Sequence, residues 1–88
     1  MSVHDAETLF EFPCEYPVKA MGSDVGNLED LVVTLVSKHC SEIIHIKSRP
    51  SKQGNFIAVT VTITASSKQQ LDNIYYELSS HEKIMMAL

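Results

Sequence analysis

The sequence predicts an α+β sandwich: a four-stranded antiparallel sheet with two helices on one face. Three observations carry this expectation. Residues 56–65 alternate strictly, with Ile57, Val59, Val61, Ile63 and Ala65 on one side and Phe56, Ala58, Thr60, Thr62 and Thr64 on the other. Successive strand side chains point to opposite faces, so this strand belongs to a sheet that is buried on one side only. Two further stretches have helical spacing instead: Leu28, Leu31, Val32, Leu35, Val36 and His39, then Leu71, Ile74, Tyr75 and Leu78. The segments around these helices read as strands, which gives the order β-α-β-β-α-β.

Residues 1–15 read as a leader, and residues 16–88 as a single domain. Pro13 and Pro17 close off the leader, because proline interrupts a helix running into the body. Phe10 and Phe12 offer large apolar areas and are expected to tuck against the body. The first strand spans Tyr16 to Gly22, with Tyr16, Val18 and Ala20 alternating with Pro17, Lys19 and Met21. Gly22-Ser23-Asp24 supplies a turn and an N-cap candidate. Glu29 and Asp30 fall in the early turns of the first helix and Lys38 near its end, each where the helix dipole favours its charge.

The second strand runs from Ile43 to Arg49, with Ile44 and Ile46 facing one way and His45, Lys47 and Arg49 the other. Pro50 to Asn55 forms a hairpin loop into the long third strand. Ser66 and Ser67 are followed three residues on by Gln69 and Gln70, and either pair fits a capping box for the second helix. Ser79-Ser80-His81 ends that helix, and Lys83 to Leu88 is the last strand. Right-handed crossovers put both helices on the same sheet face. The result is the ferredoxin-like sandwich with strand order 4-1-3-2. Ile57, Val59, Val61 and Ile63 then meet Leu31, Leu35, Leu71, Ile74 and Leu78, while the threonine face stays open.

Composition narrows the function. The chain has 88 residues, 44% hydrophobic and 20% charged, in keeping with one small soluble domain. Its formal charge is −4, unevenly placed: Asp5, Glu7, Glu11 and Glu15 precede any basic residue. A net anionic chain is a poor match to nucleic acid or an anionic membrane. No apolar run approaches the roughly 20 residues a membrane helix needs, and no signal peptide is visible. Cys14 and Cys40 do not make a disulfide framework. A cytoplasmic protein with reduced thiols is expected.

No motif carries a reaction. His4, His39, His45 and His81 have no metal-ligand spacing with Cys14 or Cys40, so neither metal nor cofactor is expected. Glu29 and Asp30 have a sufficient structural role at a helix start, and no nucleophile–base pair stands out. Lys52-Gln53-Gly54-Asn55-Phe56 is faintly similar to the aromatic strand of RNA recognition motifs, which share this topology. The outward positions that follow are Ala58, Thr60, Thr62 and Thr64, with no second stacking ring, and no RNA binding is expected.

The hairpin is the candidate ligand site. Lys47, Arg49 and Lys52 lie close together, Ser51 offers a hydroxyl, and Gly54 permits a tight turn; such a loop can hold a carboxylate or phosphate. The competing reading is that Pro50 and Gly54 shape the hairpin and the bases are solvated. Self-association is also open. Met21, Phe56, Ala58 and the threonine row make a surface suited to a two-fold homodimer, as does the C-terminal edge strand; alternatively the leader covers that surface in a monomer.

Several stretches together resemble a known family. They are Phe12-Pro13, Lys19-Ala20-Met21-Gly22, the Val-rich helix closing on His39, Pro50-Ser51-Lys52 with Gly54-Asn55, the alternating third strand, and Ile74-Tyr75-Tyr76-Glu77-Leu78. In this order and spacing the chain is similar to the YbeD-like family of small bacterial proteins. The resemblance implies a ferredoxin-like fold akin to ACT-type regulatory domains, and a suggested link to lipoate. Gln53 separates Lys52 from Gly54 where the family runs on directly, and Phe56 stands where tyrosine is common. Two functions follow as expectations. One is a regulatory or interaction module without catalytic activity, working on a protein partner. The other is an ACT-like sensor of an amino acid or a carboxylic acid such as lipoate.

Overall fold

A computed structural model describes residues 11–23, 26–51 and 54–88. Its elements are β1 (Cys14–Ser23), α1 (Leu28–Ser37), β2 (Ile43–Pro50), β3 (Phe56–Ala65), α2 (Lys68–Ser80) and β4 (Ile84–Ala87). The sheet order is β2-β3-β1-β4, which is the expected 4-1-3-2 read from the other edge, and the observed neighbours pair antiparallel. Val18, Val32, Val36, Val59, Val61 and Ile63 are fully buried between sheet and helices, with Leu35, Leu71, Ile74 and Leu78 completing the packing.

β1 starts two residues earlier than the sequence indicates. Cys14 and Glu15, read as leader, pair with Ala65 and Thr64. Pro17 sits inside this strand without costing a ladder bond. The Lys19 N–H points toward the β4 side, donating to the Leu88 carbonyl at 3.0 Å, and the Pro17 nitrogen points the same way. The β1–β4 pairing runs no further along β1 than Lys19, so that nitrogen has no acceptor to satisfy. Phe12 packs against the core cluster, as expected; Phe10 lies outside the described residues.

α1 is capped at Asn27, with no side-chain cap bond, and ends at Ser37. His39, placed in the helix by its spacing, lies beyond it; the Asp24 cap candidate is outside the described residues. In α2 the Ser67 side chain accepts from the Gln70 N–H at 3.1 Å. The Gln70 side chain does not return to Ser67. Its Oε1 accepts from the Ser66 N–H at 2.6 Å, while its Nε2 donates to the His39 carbonyl at 2.7 Å, tying the two helices together.

β2 shows the clearest departure. The register shifts between Ile43 and His45, so Ile43 pairs with Ile63 and packs on the core, and Ile44 is the extra residue. A bulge of this kind inserts one residue and twists the strand. Ile46 pairs with buried Val61 yet is 40% exposed, because β2 is an edge that the helices cover only in part. At the other edge Gly22 is required by close approach: a Cβ there would lie 2.4 Å from the Lys83 carbonyl oxygen.

Val61 is the most direct test of this register. It is fully buried on the central pair of strands, and an unpaired carboxylate there costs several kcal/mol. Val61→Asp is expected to abolish the cooperative thermal transition seen by circular dichroism. Unfolding at the parent temperature would contradict the register.

Candidate functional site

Antiparallel residues that pair directly share a sheet face, so the registers determine what the open face displays. One cross-strand row is Arg49–Ala58–Met21–Met86. The next is Lys47–Thr60–Lys19, extended to Leu88 by two backbone bonds with Lys19. A third is His45–Thr62–Pro17. Lys19 and Lys47 thus flank Thr60 on neighbouring strands, roughly 10 Å apart at the usual strand spacing. Sequence reading assigned Lys47 and Arg49 to the hairpin but missed Lys19, which joins them only through β1–β3 pairing.

Among the described residues the ion pairs are Lys38–Glu77, His39–Glu77 and Lys68–Asp72. Lys19, Lys47 and Arg49 therefore present their charges to solvent. Among the described residues, acidic side chains at this face sit at its opposite end: Glu15 opposite Thr64, and Glu42, which accepts from the Thr64 hydroxyl at 2.8 Å. Beside Lys19 lies a hollow of about 150 Å³ lined by Lys19, Ala20, Met21, Ala58, Thr60, Met86 and Leu88, with Lys47 and Arg49 on β2 beyond its β3 wall.

The hairpin uses its own polar groups. The Ser51 N–H donates to the Phe56 carbonyl at 2.8 Å, and its hydroxyl oxygen accepts from the Phe56 N–H at 3.3 Å. The Gly54 N–H donates to the Ser51 carbonyl at 3.0 Å, with Gly54 at φ +72°, a conformation that glycine adopts without strain. Ser51 and Gly54 thus serve the turn, while Lys47 and Arg49 point from the sheet. Lys52 lies outside the described residues.

The opposite side of the molecule carries a polar strap invisible to the sequence pattern. His39 Nε2 lies 2.5 Å from Glu77 Oε2, and Lys38 Nζ donates to Oε1 at 3.2 Å. The His39 bond, helped by Lys38, holds the Glu77 carboxyl below the ordinary glutamate range. Nearby, Tyr75 packs edge-to-face on Tyr16 with ring centroids 6.4 Å apart and donates to the Leu88 carbonyl. Burial pushes the Tyr75 hydroxyl well above its usual range, so it serves as a fixed neutral donor. Burial also raises the Cys40 thiol, which disfavours a reactive thiolate. Among the described residues no three of His, Cys, Asp and Glu converge as metal ligands. No described helix is long and apolar enough to cross a membrane.

These features define a ferredoxin-like α+β module whose sheet is covered by the helices on one face and, among the described residues, open on the other. The chain belongs to the DUF493 family of proteins of unknown function, whose model matches residues 7–88. This is the YbeD-like resemblance seen in the sequence. Similar relatives are named UPF0250 protein. The one from Paraburkholderia phytofirmans is 39% identical over 84 residues, covering 93% of this chain and 94% of the relative. The one from Chromobacterium violaceum is 41% identical over 86 residues, covering 96% and 97%. Their names state no activity. The solution structure of protein HP0495 from H. pylori superposes with a TM-score of 0.72 at 16% identity, covering 90% of this chain and 85% of that one. That likeness concerns the fold alone.

The strap has a pH signature. A carboxyl held low in the folded state adds stability above its unfolded pKa, and that stability is lost as pH falls through the folded value. The melting temperature of the parent chain is expected to exceed that of Glu77→Gln near neutrality, with the gap closing on acidification. Melting curves between about pH 7 and about pH 3 bracket the ordinary glutamate range. A gap independent of pH would contradict the assignment.

Proposed function

We propose that the protein is a small interaction module without chemistry of its own, acting in regulation through its open sheet face. The observation that carries this reading is the grouping of Lys19, Lys47 and Arg49 beside Met21, Ala58 and Met86 on that face. A face kept only for solvent has no use for a methionine row; Met21 is 38% and Met86 51% exposed. Methionine makes adaptable contacts, and a threonine row suits a pleated surface that is half buried. The cytoplasmic setting expected for such a module agrees with the free thiols of Cys14 and Cys40. Self-association is a further form of the same reading, since β4 leaves Met85 61% exposed at an edge whose nearest base is Lys83.

A second reading is the ACT-like sensor of an amino acid or a carboxylic acid such as lipoate. The proximity of Lys47 and Arg49 on one face favours it, because two cations suit one carboxylate. Ser51 and Gly54 lend it no support, since their polar groups are engaged in the hairpin.

A photo-crosslinking residue in place of Thr60, on the open face, is expected to give discrete protein adducts in bacterial cells expressing the full chain. The same residue in place of Gln69, on the exposed side of α2, is expected to give none. Equal labelling from both, or none from Thr60, would overturn the module reading. The sensor reading makes a different demand. Lipoate at about 100 times its Kd would add about 2.7 kcal/mol, a melting shift of roughly 10 °C or more for a domain of this size. That shift would disappear in the double variant Lys47→Ala/Arg49→Ala.

A further inference from the structure

We infer that the occupant of the open face is an extended acidic segment of a partner protein, carrying one apolar anchor among its carboxylates. This rests on the module reading and names the chemistry of its partner. The chain carries −4 overall, yet Lys19, Lys47 and Arg49 gather in two adjacent rows of one face, without an ion-pair partner among the described residues. Bases clustered on an acidic protein attract an anionic partner to that face and repel it elsewhere.

The hollow of about 150 Å³ has Lys19 in its wall and Lys47 and Arg49 one strand away on β2, with Met21, Ala58, Met86 and Leu88 supplying its apolar lining. It has room for one aliphatic side chain and is too small for a folded element. A segment crossing the face here seats an apolar residue in the hollow, with Lys47 and Lys19 on either side of Thr60 and Arg49 one row on. Carboxylates next to the anchor then meet Lys19 at the wall of the hollow and Lys47 and Arg49 on its β2 side. The face is also polar along its length. Glu15 and Glu42 close off the Thr64 end, so an acidic segment is confined to the Arg49 end.

A polynucleotide fits less well. It needs a continuous basic track and neighbouring stacking rings, whereas the rings on the described strands of this face, Phe56 and His45, stand three rows apart.

The test uses the full chain and a fluorescein-labelled peptide, Glu-Asp-Glu-Leu-Glu-Asp-Glu, read by fluorescence anisotropy. Saturable binding is expected. It should weaken strongly between about 0.01 M and about 1 M salt, as the screening length falls from about 30 Å to about 3 Å. Lys47→Glu/Arg49→Glu should weaken binding at least about ten-fold with the melting temperature retained, since charges at an interface rim tune association without supporting the fold. Ala58→Phe, which fills the hollow, should remove the advantage of the leucine peptide over one with serine at its centre. Equal binding of a Gln-Asn analogue would overturn the inference, because the bases would then be idle. Tighter binding of oligo-uridine or of phosphatidylglycerol vesicles through the same bases would also overturn it and assign a different polyanion. Absence of peptide binding at millimolar concentration, with Thr60 crosslinks still seen, would reject the acidic partner and leave the module reading standing. Loss of both would reject the two together.

Discussion

Everything in this molecule depends on the unbroken pairing of β1 with β3. The two strands run together from Cys14↔Ala65 to Ser23↔Phe56 without a bulge. That register sets Val18 against Val61 and Ala20 against Val59, all buried, and assigns the intervening residues to the other face. A slip of one residue would exchange the two faces entirely, exposing valines and burying lysine. The helices then have one surface on which to pack, and their own stripes, Val32, Leu35 and Val36 with Leu71, Ile74 and Leu78, match it. The strap from Lys38 and His39 to Glu77 and the Gln70 bond to His39 align the helices upon that base.

The same pairing makes the open face. Lys19 belongs to the first strand, Lys47 and Arg49 to the second, and they become neighbours only because Thr60 and Ala58 of the third lie between them. The apolar hollow draws on it as well, since Met21 and Ala58 pair across β1 and β3, and Met86 joins them from β4. A core that needs one face apolar leaves the other free to carry charge, and the charge it carries is opposite in sign to the chain as a whole. On the proposed reading, the decoration of that face rather than the fold itself carries the function.

Most of the fold was legible because its signals are periodic. Strict alternation in residues 56–65 and the helical stripes need only local spacing to be seen, and order and handedness followed from them. What escaped lacked a periodic mark. The inserted Ile44 has the same apolar character as its neighbours, so the shift that turns Ile43 to the core leaves no trace in composition. Pro17 marked a boundary in sequence, but its missing N–H falls beside the last β4 contact and the strand runs through it. The candidate site was half legible. Lys47 and Arg49 were identified from proximity in the chain, whereas Lys19 required the tertiary register. Ser51 and Gly54 carried a turn whose hydrogen bonds the sequence did not distinguish from a ligand cradle.

The central claim is that one sheet face of the folded protein is open and basic. Lysine acetylation of the native protein, followed residue by residue in the mass spectrometer, tests it most directly. Lys19 and Lys47 are both exposed on that face, whereas Lys68 Nζ lies 2.7 Å from Asp72 Oδ2 and is shielded. The account predicts that Lys19 and Lys47 react about as fast as lysines of the unfolded chain, with Lys68 slower. Protection of Lys19 and Lys47 to the level of Lys68 in the folded protein would mean that this face is covered, and would contradict the account.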